Sequence, residues 1–237
     1  MFNLQIPVTL ETLRAIDAEV ALRAPKVPAA LRRQAIARGH GYETAGSLRE
    51  AASLSPPVVA TIQGGPFAAC LKEGGHEVAG QVLYLAVARR AVQLVQAKMP
   101  QITAFGFGGG KQSPKPGADR ETSDDRQARF GIEQAKLTTA SGLTHFLHAL
   151  AFLTPFAPAS KFYASAGSYQ LKHLAEARPC SYPEGSPLGS GYIENGAFIA
   201  AAVHRGFEWR HHEGKGSPNL IFKMAVSPPN PDKVYPA

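Results

Sequence analysis

Apolar residues recur at helical spacing along much of the first hundred residues. Leu10, Leu13, Ile16 and Val20 share one face of a segment that follows Thr9, so the pattern predicts an amphipathic helix there. Elsewhere in this part, proline and glycine mark where the predicted elements begin and end. These elements are a helix from Pro28 to Gly39, a short helix from Thr44, a strand from Pro56 and a long helix between His76 and Pro100.

The helical pattern stops near Phe105. From there to Gly131 the chain is rich in glycine, proline and charged residues, with almost no aliphatic side chain. Such a segment cannot bury enough apolar surface to offset the entropy of ordering it. We therefore predict a flexible linker or long loop over residues 105–135. It separates a helical N-terminal domain (1–104) from a C-terminal domain (136–226), which is followed by a loose tail (227–237).

Three further elements are predicted between the linker and residue 178. Ser141 is placed to cap a helix, SKFYA from Ser160 has the composition of a very short strand, and Ser168 is placed to cap a second helix. On that second helix the spacing predicts that Leu174 faces inward and Lys172 faces outward.

The stretch from Asn195 to Met224 changes its period part-way along. Its first part is rich in alanine and predicts a short helix that is capped by Asn195 and closed by Gly206. Ala200 and Ala201 give this helix a face with little bulk, which would allow close approach to another surface.

Two runs with a period of two follow this helix and predict a β-hairpin. Phe207, Trp209 and His211 alternate with polar neighbours in the first run, and a second run begins at Leu220. The loop between the runs carries Lys215.

The element order from Ser141 onwards is helix, short strand, helix, helix, strand, basic loop and strand. This order resembles that of winged-helix domains. The resemblance implies that the helix from Asn195 to Arg205 enters the major groove and that the hairpin loop, His211 to Asn219, contacts phosphate or the minor groove. The third helix is poor in residues that read base edges, and a long loop precedes it, so phosphate contacts are favoured over sequence readout. The predicted fold class is α+β, mostly helical.

The charge balance favours a polyanionic partner. The chain contains 25 Lys and Arg against 18 Asp and Glu, a formal net charge of +7, as is common for proteins that bind DNA or RNA. The candidate nucleic-acid-binding residues are basic side chains of the predicted helices, linker and hairpin. They are Arg32, Arg33, Arg38, Lys111, Lys115, Lys172, Arg205, Arg210, His211, Lys215 and Lys223.

A second candidate region runs from Leu31 to Ala51. Ala35 and Gly39 have the A-x-x-x-G spacing of helix-turn-helix bends, where small residues let two helices cross closely. The region also resembles short segments of uncharacterised accessory proteins of bacterial plasmids and integrative elements. That resemblance implies a mobile-element protein and no particular activity. A plain helical hairpin with solvated arginines explains the same pattern.

Signals for catalysis or cofactors are weak. The glycine-rich run before Lys111 fails the phosphate-loop pattern, because Gln112 stands where Ser or Thr would bind Mg²⁺. His145 and His148 are three residues apart on a predicted helix, but no further ligand lies near them in the sequence. No Ser–His–Asp arrangement or paired-carboxylate signature is recognisable. We predict no enzymatic activity, no cofactor and no metal site.

The remaining features place the chain among intracellular proteins. Cys70 and Cys180 are too few for a disulfide framework, and neither a long apolar run nor a signal-peptide pattern occurs. We predict a cytoplasmic protein without a membrane partner. It would act as a nucleic-acid-binding regulator or accessory factor of a bacterial mobile element. The alternative is a protein-binding subunit of a larger ribonucleoprotein or conjugation assembly, or an inhibitor of a host factor.

Overall fold

A computed structural model of the chain describes residues 2–108, 122–189, 191–212 and 216–225. The fold is α+β and mostly helical, as predicted. Its elements in chain order are β1 (Gln5–Pro7), α1 (Leu10–Arg23), α2 (Ala29–Gly39), α3 (Ala45–Ala51), β2 (Val59–Thr61), α4 (Gly64–Glu73), α5 (Gln81–Lys98), β3 (Ile102–Thr103), β4 (Gly106–Phe107), α6 (Ser123–Lys136), α7 (Ala140–Leu153), a 3-10 helix (Ala164–Ala166), α8 (Ser168–Glu176), β5 (Cys180–Ser181), β6 (Pro187–Gly189), α9 (Asn195–His204), β7 (Trp209–His211) and β8 (Leu220–Phe222).

Contacts divide the chain into two compact units. The N-terminal unit comprises residues 2–91 and a return segment, residues 181–187, and the C-terminal unit comprises residues 92–180 and the described residues after 187. This division differs from the boundary predicted at residue 104, because it falls within α5 and because a distant segment returns to the N-terminal unit. In the described part of the chain, no helix is both long enough and apolar enough to cross a bilayer.

The N-terminal unit is built on the predicted helices and on one helix that was not predicted from the sequence. Thr9 caps α1 by accepting the Thr12 backbone N–H at 3.1 Å, and Ile16 and Val20 are buried as predicted. The unpredicted helix is α4, which packs closely on α2. A side chain at Gly39 would lie 3.2 Å from Phe67, so this approach depends on the glycine.

Tyr84 joins the return segment to the rest of the N-terminal unit. Its buried hydroxyl accepts the Gly64 backbone N–H at 3.0 Å and donates to the Glu184 carboxylate at 2.9 Å. Its ring packs against Phe2 and Tyr182, with centroids 5.2 and 5.7 Å away. Burial raises the pKa of Tyr84 well above its usual range, so the hydroxyl keeps the proton that it donates.

The core of the C-terminal unit lies between α7 and α9. Every residue of α9 from Asn195 to Ala202 is buried. The prediction that Ala200 and Ala201 form an exposed face is therefore wrong. Their small side chains instead allow α9 to pack tightly within the core, where Gly196 lies against Thr103.

The predicted caps of α7 and α8 are wrong. Thr139 rather than Ser141 caps α7, accepting the Gly142 N–H at 3.2 Å. Ser168 is a buried residue of α8, and its hydroxyl accepts the Leu220 N–H at 3.2 Å. A serine before an apolar run fits both an N-cap and a position inside the first turn, so the pattern alone does not fix the start of a helix.

The strand predicted at residues 160–164 is also absent from the described structure. The chain forms a 3-10 helix at Ala164–Ala166 instead. Isolated antiparallel bridges flank this region, one joining Pro158 to Met224 and one joining Gly167 to Ile221.

Part of the predicted linker is helical. Thr122 and Asp125 form a capping box at the start of α6, and the helix continues to Lys136. The capping signal T-S-D-D was present in the sequence, but the polar composition outweighed it in the prediction. Residues 109–121 of the linker and the tail from 227 to 237 lie outside the described residues.

Candidate nucleic-acid interface

The predicted β-hairpin is confirmed. Trp209 pairs with Phe222, Arg210 with Ile221 and His211 with Leu220, in antiparallel register. All residues of β8 are buried, whereas Arg210 and His211 on β7 are exposed. β7 is therefore the strand of this hairpin that faces solvent.

Three rings meet on one side of β7. The Phe107 ring lies 5.8 Å from Trp209 and 4.7 Å from His211, and the Trp209 and His211 rings are 5.6 Å apart. Alternation along the strand places Trp209 and His211 on the same face. We call Phe107, Trp209 and His211 the ring cluster. His211 is exposed and the other two rings are half-buried.

Asn195 positions the ring cluster from within the core. Its side-chain amide donates to the Pro218 carbonyl at 3.2 Å and to the Asn219 side chain at 3.0 Å. The Phe107 N–H donates to the same Pro218 carbonyl at 2.9 Å, which holds β4 beside the end of the hairpin loop. Asn195 was predicted to be the N-cap of α9, but Glu194 occupies that position.

The other side of β7 carries a cation over a ring. The Arg210 guanidinium lies 5.3 Å from the centre of the Phe162 ring. On either side of Phe162 in the sequence, the Lys161 ammonium lies 5.4 Å from the centre of the Tyr163 ring. Arg210, Lys161 and Tyr163 are exposed, so these cation–π pairs leave the charges open to an anion.

Several of the predicted binding cations already have carboxylate partners. Asp17 accepts from Arg32 at 2.6 Å and from Arg33 at 3.2 Å. Lys223 forms an ion pair with Glu208 at 2.9 Å. A phosphate would have to compete with these carboxylates, so these residues would contribute less to phosphate binding than their charge suggested.

Lys172 is buried, so the prediction that it faces outward is wrong. The residue is 3% exposed, whereas Leu174, predicted to face inward, is 45% exposed. The Lys172 ammonium donates to Glu176 at 2.6 Å and lies 4.8 Å from the centre of the Tyr192 ring. Glu176 also accepts the Ile193 N–H at 3.0 Å, so the pair attaches the segment before α9 to α8.

Replacing Glu176 with Ala is expected to destabilise the C-terminal unit by about 2–3 kcal/mol, because Lys172 would remain buried without its partner. The loss is below that of a fully enclosed pair because Glu176 retains some contact with water. Urea unfolding would measure it. The double variant Lys172→Met, Glu176→Leu should be more stable than the single variant. Equal losses in the two would contradict an electrostatic origin.

The other candidate cations are scattered. The Arg205 guanidinium is half-buried and donates to the Thr154 carbonyl at 3.5 Å, while Arg38 is exposed on α2 in the N-terminal unit. Lys111, Lys115 and Lys215 lie outside the described residues. Arg210 and His211, by contrast, are adjacent and exposed on the short strand β7.

His145 has neighbours of the types found in hydrolase triads. Its Nε2 lies 3.4 Å from the Ser141 hydroxyl, and its Nδ1 lies 3.7 Å from Glu194. The second distance is too long for a hydrogen bond, so the carboxylate does not orient the ring as a triad acid does. His148 donates from Nε2 to the Arg178 carbonyl at 3.0 Å. No group of three potential metal ligands occurs among the described residues.

Comparisons with known protein families, with curated proteins and with solved structures find no match to this chain.

Proposed function

We propose that this protein binds nucleic acid through the solvent-facing strand β7 and the residues beside it. The observation that carries the proposal is Arg210, which is exposed and lies over an aromatic ring, with no ion-pair partner among the described residues. Lys161 adds a second cation close by in the same unit. The net charge of +7 gives the chain an overall attraction to a polyanion.

In winged-helix domains, contact with nucleic acid is shared between a helix and a hairpin wing. Here the hairpin alone would make that contact. The order of α7, α8, α9, β7 and β8, with the bridge from Gly167 to Ile221, supports a winged-helix-like arrangement. The helix that would read the major groove is α9, and its burial argues against that role. We therefore assign contact with nucleic acid to the hairpin and favour binding without sequence readout.

Replacing Arg210 with Ala is expected to weaken binding and to reduce the salt dependence. The slope of log K against log salt should fall by about 0.7–0.9, the contribution of one neutralised phosphate. Fluorescence anisotropy with a labelled oligonucleotide across a salt series would measure both quantities.

Arg38→Ala is the matched control, because it removes the same charge from an exposed position in the N-terminal unit. It should change binding less than Arg210→Ala. Equal effects of the two variants would mean that binding follows total charge, and the assignment to the hairpin would fail.

The biological setting follows the sequence-based prediction. We propose a cytoplasmic regulator or accessory factor of a mobile element. The alternative of a protein-binding subunit was motivated by the low fraction of charged residues, 18%, and by an exposed alanine face on α9, and those alanines are buried. Of the basic residues that motivated nucleic-acid binding by the hairpin, Arg210 is exposed, Lys223 is paired with Glu208, and Lys215 lies outside the described residues.

A further inference from the structure

We propose that the nucleic acid bound by β7 is single-stranded and that its bases stack on the ring cluster of Phe107, Trp209 and His211. This inference rests on the proposed function and adds the class of substrate. In a duplex the base faces are covered by neighbouring bases, whereas a single strand offers them to aromatic side chains.

The ring cluster is held in place before any ligand arrives. Phe107 meets His211 at an interplanar angle of 73° and Trp209 at 43°, so each ring restrains the others. The hydrogen bonds of Asn195 and of the Phe107 N–H to Pro218 fix the backbone beneath them. A base that stacks here would meet rings with little remaining side-chain freedom to lose, which favours binding.

Exposed aromatic surface continues beyond the cluster. Phe105, in the turn between β3 and β4, is 55% exposed, and Tyr163 is 40% exposed. Rings exposed in the same unit would offer further stacking surface to bases. Their occurrence in a unit that also exposes Arg210 and Lys161 is the combination used by proteins that bind single strands.

The position of the cations suits a strand that runs along β7. Arg210 projects to the opposite side of the strand from Trp209 and His211, so bases and phosphates would contact alternate residues. The two cations Arg210 and Lys161 would neutralise about two phosphates, which gives a salt slope of about 1.4 for a single strand. A small slope with appreciable affinity is therefore expected, because stacking supplies the remainder.

The experiment compares strands that carry the same phosphates with and without bases. The full chain would be titrated with an oligothymidylate of about 12 nucleotides, with an abasic strand of equal length, with oligouridylate and with a duplex. Trp209 is the sole tryptophan of the chain, so its fluorescence reports directly on the ring cluster. We expect quenching by the base-bearing single strands, and affinity about fivefold to a hundredfold above that for the abasic strand.

The outcomes separate the inference from the function on which it rests. Equal affinity for the abasic and base-bearing strands, or tighter binding of the duplex, would overturn stacking and leave phosphate binding intact. Absence of binding to every strand at low salt would overturn the proposed function as well. Comparison of oligothymidylate with oligouridylate tells whether DNA or RNA is preferred, and stacking requires that at least one of them outbinds the abasic strand.

Variants of the ring cluster test whether bases stack there. Trp209→Leu should remove most of the preference for base-bearing strands over the abasic strand, whereas Trp209→Phe should retain most of it. Because both variants lack the tryptophan, labelled strands would report their binding. Since Trp209 is half-buried, His211→Ala at an exposed position serves as a second variant that removes no buried side chain. Unchanged base preference in both Trp209→Leu and His211→Ala would place stacking elsewhere and overturn the assignment.

Discussion

Replacing Gly196 with Ala is expected to destabilise the C-terminal unit by about 3 kcal/mol or more. An added Cβ would overlap the carbonyl oxygen of Thr103 and lie 2.7 Å from its carbonyl carbon. The backbone of Thr103 is held in β3, and α9 is buried from Asn195 to Ala202, so neither can move aside without disturbing the core. Urea unfolding monitored through Trp209 would measure the loss.

Gly131 provides the matched control for this substitution. It also lies within a helix of the C-terminal unit, α6, but a Cβ added there would meet nothing within 4 Å. Gly131→Ala should therefore stabilise the helix by up to about 1 kcal/mol, the usual difference in helix propensity. If both variants lost stability to a similar extent, crowding against Thr103 would not be the cause.

Acidification is expected to destabilise the N-terminal unit through His40. Burial lowers the pKa of this side chain from 6.5 to about 4, although its hydrogen bond to the Ile36 carbonyl opposes the shift. Nδ1 donates to that carbonyl at 2.7 Å, and Nε2 has no hydrogen-bond partner among the described residues. A proton can therefore add only to a buried, unsolvated nitrogen.

The sign of the effect follows from the lowered pKa. The unfolded chain binds a proton as the pH falls through 6.5, but the folded chain does not until about pH 4, so stability is lost in that interval. The free energy of unfolding should fall by about 2 kcal/mol at pH 5 and about 3 kcal/mol at pH 4, relative to pH 7. His40→Asn keeps a donor near Ile36 without the titration. A variant with the same pH dependence as the natural chain would exclude His40 as the source.

Periodicity in the sequence predicted the elements whose burial follows a simple pattern. Helix α1 and the hairpin of β7 and β8 were found because their apolar residues repeat at helical or strand spacing. Helix α6 was missed because it has no buried residue, so its stability comes from its cap and its charges rather than from an apolar stripe. On α8, the apolar stem of Lys172 is buried while Leu174 is exposed, which reverses the usual meaning of these residue types.

The candidate site was predictable in part. The alternation from Phe207 onwards identified the strand that carries Trp209, Arg210 and His211. Its partners Phe107 and Phe162 come from distant positions, and no local pattern connects them to β7. The neutralisation of Lys223 and Arg32 by carboxylates was equally hidden, because ion pairs across the fold depend on side-chain positions that spacing does not give.

The return segment has a consequence for synthesis on the ribosome. Residues 2–91 emerge first, but the partners of Tyr84 and Gln81, Glu184 and Ser186, are added only after about a hundred further residues. At about 5–20 residues per second, that interval lasts roughly 5–20 s. During it, the Tyr84 hydroxyl lacks its acceptor and Phe2 lacks the Tyr182 ring. The nascent N-terminal unit therefore passes through a period in which it is incomplete, and its final packing waits for the synthesis of residues 181–187.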